Sequence, residues 1–322
     1  MKAIRVHAPG GPEAMQLDEI PAPKLEPGQA IVHLEASGVN FIDVYHRTGL
    51  YPSQAPFTLG SEGAGTVTAV AEGVTVVRVG DRVAFSGVRG TYAELIAVPA
   101  DRLVVLPDDI TTRQGAALML QGLTAQYLAT STYPLREGEW CLVHAAAGGV
   151  GLLLCQIARN IGAHVIGTTS TDEKAKLARE AGAEEVILYT KQDFEAETRR
   201  ITDGAGVSVV YDSVGRTTFE KSLRSLRRRG MLVLFGQSSG PVPPVDLQLL
   251  SRNGSLYATR PTLADYIATR EELLARSDDL FRWIREGRLH VRIDREIPLA
   301  DAAEAHRLLE SRATAGKLLL IP

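Results

Sequence analysis

Eight residues near the middle of the chain, His144-Ala-Ala-Ala-Gly-Gly-Val-Gly151, lie between two apolar runs, EWCLV before and LLLCQIA after. Small residues that end a strand and open a helix let a group pack directly on the turn, and helix-start N–H groups favour an anion. The expected occupant is a phosphate. Aligned to the dinucleotide fingerprint GxGxxG, the stretch Ala146 to Gly151 has Ala in the first place and Gly in the second and third. Gly148 would let backbone approach a pyrophosphate, and Gly151, with Gly149 and Val150 before it, would let the helix press on the strand. Ala146 departs from the pattern and is tolerable if its φ stays negative. A glycine turn used only for tight packing is the bland alternative. The required context is nevertheless present: a strand before, an amphipathic helix after, Gly162 as a helix stop, and the second strand HVIGTT.

The end of that second strand bears on which dinucleotide is held. The position about 20 residues on, where a carboxylate would hold a ribose hydroxyl, falls at Thr168, Thr169 and Ser170, with Asp172 and Lys174 following. Hydroxyls and a lysine suit a 2′-phosphate and favour NADPH over NADH, although Asp172 and Glu173 are carboxylates. The same residues also read as a cap for a helix starting near Glu173.

These residues need elements to hold them. The 322 residues, 45% hydrophobic and 23% charged, suffice for two domains with real cores. Thirty-five Lys and Arg against 38 Asp and Glu leave a net charge of -3, which gives nucleic acid or an anionic membrane no global attraction. Cys141 and Cys155 have no metal-binding spacing and read as buried small hydrophobes. The first residues lack the apolar core of a signal peptide, and no run approaches the roughly 18 apolar residues of a membrane span. The expected location is cytoplasmic.

Up to about residue 120 the chain shows short β segments cut by Gly and Pro, among them KAIRV, AIVHLEASGV, GAGTVTAV and DRVAFS, which predict a largely antiparallel β domain. From about residue 124 strands alternate with helical stretches, CLVHAA with GLLLCQIARNI and HVIGTTS with EKAKLAREAG, which predicts an α/β, doubly wound parallel sheet. The run Arg224 to Arg229 reads as the positive end of a helix capped by Gly230, although it also looks like a nucleic-acid patch. Beyond residue 260 come a helix with Leu273, Leu274, Leu280 and Trp283 and a final strand, KLLLI, that must pair somewhere.

HAAAGGVG, ASGVNFIDVYHRTGLYP (36–52), LGSEGAG (59–65), VVYDSVGRTTFEKSL (209–223), LFGQSSG (234–240), YATRP (257–261) and ESRATAGKLLLIP (310–322) together resemble the zeta-crystallin-like quinone oxidoreductases, the zinc-free branch of the medium-chain dehydrogenases. The resemblance runs nearly end to end. It implies a GroES-like β domain (1–124), a Rossmann NADPH-binding domain (125–260), and a segment (261–322) that returns to the first domain. It further implies NADPH in the cleft between the domains and a homodimer. Where the zinc alcohol dehydrogenases of the same architecture have GHE, this chain reads Gly60-Ser61-Glu62, and no cysteine lies around Asn40 and Asp43. Serine and asparagine replace imidazole and thiolate poorly, so no metal and no alcohol oxidation are expected. His33, His46 and His144 then read as packing or hydrogen-bonding residues.

A quinone, or an alkene conjugated to a carbonyl, carries its own electron sink and can take hydride directly when held in line. The resemblance points to Asn40, Tyr45 and Tyr51 at the reacting end, as hydrogen-bond donors to the oxygen that gains charge. Ordinary amphipathic tyrosines at a loop edge would look the same, and Asp43 reads as a loop or turn anchor rather than a base. On the cofactor side the resemblance implies Thr124, the backbone of Gly148, Gly149 and Val150, and Lys174 and Tyr189, beside the Ser170 read from the end of the second strand. It adds Ser213, Phe235, Gly236, Ser238, Arg260 and Arg312. The expected activity is NADPH-dependent quinone reduction. An enone or enal reductase, or a nucleotide-binding structural or RNA-binding protein, is the alternative, and the net charge speaks against RNA.

Overall fold

A computed structural model describes residues 1–322. The Gly- and Pro-punctuated N-terminal third forms strands β1 (Lys2–Val6), β2 (Met15–Glu19), β3 (Gln29–Val39), β4 (Phe57–Thr58), β5 (Glu62–Val70), β6 (Arg82–Ser86), β7 (Leu95–Pro99) and β8 (Val104–Val105), with helices α1 (Phe41–Arg47) and α2 (Thr112–Tyr127). Every strand pairing among these eight is antiparallel. Alternate residues of β3 and its neighbours, including Val32, Leu34, Val67, Val83 and Phe85, turn into one apolar core. Each such side chain contributes about 1.5–3 kcal/mol on burial.

The alternating region forms β9 (Trp140–Val143), α3 (Gly149–Ile161), β10 (His164–Thr169), α4 (Asp172–Glu180), β11 (Glu185–Leu188), α5 (Phe194–Ile201), β12 (Val207–Asp212), α6 (Phe219–Ser225), β13 (Leu226–Leu234), α7 (Gln248–Arg252) and β14 (Tyr257–Thr259). The sheet order is β11-β10-β9-β12-β13-β14, and all of its pairings are parallel. Apolar strands covered by helices produce this arrangement, with Leu142, Ile166, Val210, Leu223 and Leu232 in its core. Gly162, at φ 87°, ends α3 in the left-handed conformation.

The arginine run departs from its sequence reading. Helix α6 stops at Ser225, and Leu226 already pairs with Val207 as the first residue of β13. The next paired residue is Met231, opposite Val209, so Arg227 to Gly230 bulge from the strand with Arg229 at φ 58°. Burial of Leu226 in the core decides this, because an apolar side chain committed there starts the strand before Gly230 can cap a helix. The carbonyls of Arg224 and Leu226 instead accept from the Arg199 guanidinium, each at 2.9 Å.

After α8 (Leu263–Tyr266) and α9 (Arg270–Arg285), strands β15 (Ile293–Pro298) and β16 (Lys317–Ile321) flank α10 (Ala302–Glu310). The last strand pairs in parallel with β15 and antiparallel with β3, which completes a sheet ordered β15-β16-β3-β5-β6-β8 with β7 also on β3. The chain divides into two units. The first holds Met1–Leu123, Ile267–Arg285 and Val291–Pro322, and the second holds Thr124–Tyr266 and Glu286–His290. No helix is long and apolar enough to cross a membrane.

Candidate functional site

In the second unit the carboxyl ends of six parallel strands share one edge of the sheet. The residues directly after them are His144, Ser170, Tyr189, Ser213, Phe235 and Arg260. The strand order reverses between β9 and β12, and ligands of open α/β sheets bind outside the carboxyl ends at such a reversal. The turn from β9 into α3 lies there. Its left-handed residue is Ala145 at φ 50°, so Ala146 carries its Cβ without strain. Gly148 is the N-cap in extended backbone and supplies no side chain, which leaves the first N–H groups of α3, at Gly149 and Val150, to an anion. A Cβ on Gly151 would lie 2.8 Å from Ala146 Cα, so bare backbone is needed for the helix to pack there.

The turn is braced by a network that sequence reasoning missed. Buried Asp212 accepts from the Val214 and Gly215 N–H groups at 2.7 and 3.0 Å, and from Thr218 and Ser222 hydroxyls at 2.7 and 3.0 Å. Ser222 and Thr168 hold the two ring nitrogens of His144 at 3.0 Å each. Since Ser222 donates to Asp212, His144 Nε2 carries the hydrogen and Nδ1 accepts from Thr168. Burial lowers the His144 pKa and keeps the ring neutral. Asp212 thereby shapes the loop that carries Ser213.

The hydroxyls expected to face a ribose separate into two sets. Thr168 and Thr169 are buried, whereas Ser170 and Lys174 are half-buried beyond the strand end. Thr171 caps α4 by accepting from the Lys174 N–H at 3.3 Å, and Asp172 pairs with Lys191 at 3.1 Å. The capping hydroxyl is therefore that of Thr171, not that of Ser170. Tyr189 is exposed and donates its N–H to Thr169 O at 3.1 Å. Phe235 and Gly236 donate theirs to Asp212 O, and Ser238 donates to Ser213 O. The exposed Arg260 donates to Leu234 O at 3.1 Å, while Thr124 is buried within α2. Arg312 belongs to the first unit and follows α10 at φ 59°.

The first unit holds a second buried network, centred on α1. Asn40 precedes the helix with its carboxamide fully engaged: Nδ2 donates to Glu62 Oε2 at 3.0 Å and to Gly38 O at 3.2 Å, and Oδ1 accepts from Lys317 Nζ at 2.8 Å. Both amide hydrogens have partners inside the protein, and the carboxamide holds the start of α1. Lys317 and Glu62 form an ion pair at 1% and 0% side-chain exposure, and the Leu120 N–H donates to Glu62 at 2.6 Å. Gly38 makes room, since a Cβ there would meet Lys317 Cε at 2.5 Å.

Asp43, also buried, accepts from the Asn40 N–H at 2.9 Å, Ser61 Oγ at 2.7 Å and Tyr92 Oη at 3.1 Å. Burial raises its pKa to about 6, against the pull of those hydrogen bonds and of Lys317. Arg47 donates to His306 Nδ1 at 3.0 Å and bidentately to Glu310 at 2.8 and 2.9 Å. A guanidinium only donates, so His306 carries its hydrogen on Nε2 and gives it to Tyr92 Oη at 3.1 Å. Burial, then the Arg47 charge, pushes His306 down to about 3. Tyr45 is buried on α1 with its ring 5.2 Å from that of half-buried Tyr51, edge to face, and Tyr51 N–H donates to Tyr45 O at 2.9 Å. No group of three or more His, Cys, Asp or Glu is arranged to hold a metal ion.

Glu62, Tyr92, Arg47, His306, Glu310 and Lys317 were not picked out from sequence. One available signal was a lysine opening the otherwise apolar strand KLLLI.

Comparison with known proteins matches residues 26–108 to the alcohol dehydrogenase GroES-like domain and residues 149–274 to the zinc-binding dehydrogenase family. A quinone oxidoreductase of Pseudomonas aeruginosa is 49% identical over 100% of this chain and 99% of its own. The crystal structure of an Escherichia coli quinone oxidoreductase complexed with NADPH superposes with a TM-score of 0.98 at 46% identity, covering 100% of both chains. A 2-haloacrylate reductase from Burkholderia sp. is 41% identical over 99% of this chain and 98% of its own.

Proposed function

The chain belongs to the quinone oxidoreductase family, and on that premise we propose that it reduces quinones with NADPH by direct hydride transfer. The observation that carries the cofactor assignment is the sheet edge, where an uncapped helix start lies at the strand reversal and Ser170 and Lys174 follow the second strand. The N–H groups of Gly149 and Val150, beside Gly148, hold the pyrophosphate, and Ser170 and Lys174 take the 2′-phosphate. Tyr189 serves the adenosine side. Thr124, Ser213, Phe235, Gly236, Ser238 and Arg260 contact the rest of the dinucleotide, and Arg312 is assigned from the family resemblance alone. When bound, NADPH supplies hydride from nicotinamide C4. Tyr45 and Tyr51 donate hydrogen bonds to the quinone oxygen that gains charge. Asn40 holds the start of α1 instead of touching substrate. Positioning replaces a Lewis acid in this scheme.

The same arrangement serves a conjugated alkene, and the 2-haloacrylate reductase relative favours that as a second reading. We also propose a homodimer, since β14 is a sheet edge with Tyr257 exposed, and the segment that leads into α7 exposes Val245 and Leu247. A cytoplasmic location is proposed on the two buried, unpaired cysteines. The deciding assay follows NADPH oxidation with 1,4-benzoquinone and with a simple enone after exhaustive chelation. Quinone turnover that survives chelation supports the proposal, turnover of the enone alone selects the second reading, and activity restored only by zinc overturns the metal-free scheme.

A further inference from the structure

Helix α1 has seven residues, too few to hold its place alone, and both of its ends are fastened by groups from the C-terminal segment. At its start, Lys317 of β16 grips the Asn40 carboxamide and Glu62. At its end, Arg47 is buried between His306 and Glu310 of α10. Tyr92 joins the two ends by donating to Asp43 and accepting from His306. Because Tyr51 is tied to Tyr45 by a backbone bond and a ring contact, whatever fixes α1 fixes both phenols.

We propose that Lys317, His306 and Glu310 are positioning residues for quinone reduction: from the C-terminal segment they hold α1 so that Tyr45 and Tyr51 keep the geometry the substrate needs. This rests on the assignment of those phenols to the quinone. Reach and charge support it. Lys317 and Arg47 are buried cations whose partners lie on segments distant in sequence, and a buried pair that loses one partner leaves an uncompensated charge. Displacement of a donor by a fraction of an ångström costs turnover while leaving the nucleotide cradle of the second unit untouched.

The test compares Glu310→Gln, Lys317→Met and Lys317→Arg in the full chain, reading kcat and KM for 1,4-benzoquinone, the Kd of NADPH, and amide hydrogen exchange over residues 41–51. Glu310→Gln and Lys317→Met are expected to speed exchange and lower quinone kcat/KM, each about tenfold, with the NADPH Kd within about twofold of wild type. Lys317→Arg, which keeps the charge, should recover most of the loss. If Lys317→Met fails to fold, Glu310→Gln decides, because Glu310 is 34% exposed. Unchanged exchange, or faster exchange with quinone kcat/KM unaltered, overturns the proposal. The double variant Tyr45→Phe, Tyr51→Phe separates the two ideas: full quinone turnover there removes the site assignment and the positioning role with it. A loss there with none in Glu310→Gln removes the positioning role alone.

Discussion

Replacement of His306 by Gln should alter how stability depends on pH, in a direction set by the buried network. His306 is fully buried, accepts from Arg47 and donates to Tyr92, and is held down to about 3 in the folded chain. An unfolded histidine takes up its proton below about pH 6.5. Between those values the unfolded state binds a proton that the native state refuses, so stability is whole above pH 6.5 and falls by about 1.4 kcal/mol per unit as pH drops toward 3. Asp43 works in the opposite sense: its pKa is raised from 3.8 to about 6, the native state keeps a proton the unfolded state has lost, and stability rises as pH falls through that interval. The two slopes oppose each other in the wild type. His306→Gln removes one of them. At pH 7.5 the variant loses at least one buried hydrogen bond and should be less stable by about 1–3 kcal/mol. Two units below pH 6.5 the wild type has given up roughly 3 kcal/mol that the variant has not, so the deficit closes and can reverse near pH 4.5. Urea unfolding of both proteins at intervals from pH 4.5 to 7.5 measures the difference, in which the other carboxylates cancel. A difference that is constant with pH, or that widens on acidification, refutes a neutral, proton-refusing His306.

Lys174→Ala should raise the KM for NADPH by about tenfold or more while changing that for NADH little, and steady-state kinetics with both nucleotides checks it; equal changes would remove the 2′-phosphate assignment. Gly151→Ala places a Cβ 2.8 Å from backbone atoms of Ala146 and should cost about 1–3 kcal/mol, read as a lowered Tm. An unchanged Tm would mean that α3 can move off the strand at no expense.

Sequence by itself determined what depends on neighbours along the chain. Alternation of apolar strands with amphipathic helices specified the parallel sheet, Gly162 ended its helix, and the small residues of HAAAGGVG lie on the turn at the strand reversal. The family was legible too, because its motifs recur in order from residue 36 to the end. Tertiary structure decided what depends on burial and on partners far apart in the chain. The run of arginines looked like a helix end until Leu226 was committed to the core and began β13. The buried Thr168 hydroxyl meets His144, and the Asn40 carboxamide is held at Oδ1 by Lys317, 277 residues away, and at Nδ2 by Glu62. Local periodicity and turn chemistry act over a few residues and are written in order. A buried polar group must find its partner wherever the fold delivers one, and only the folded chain shows which groups are spent in holding the structure and which are left for chemistry.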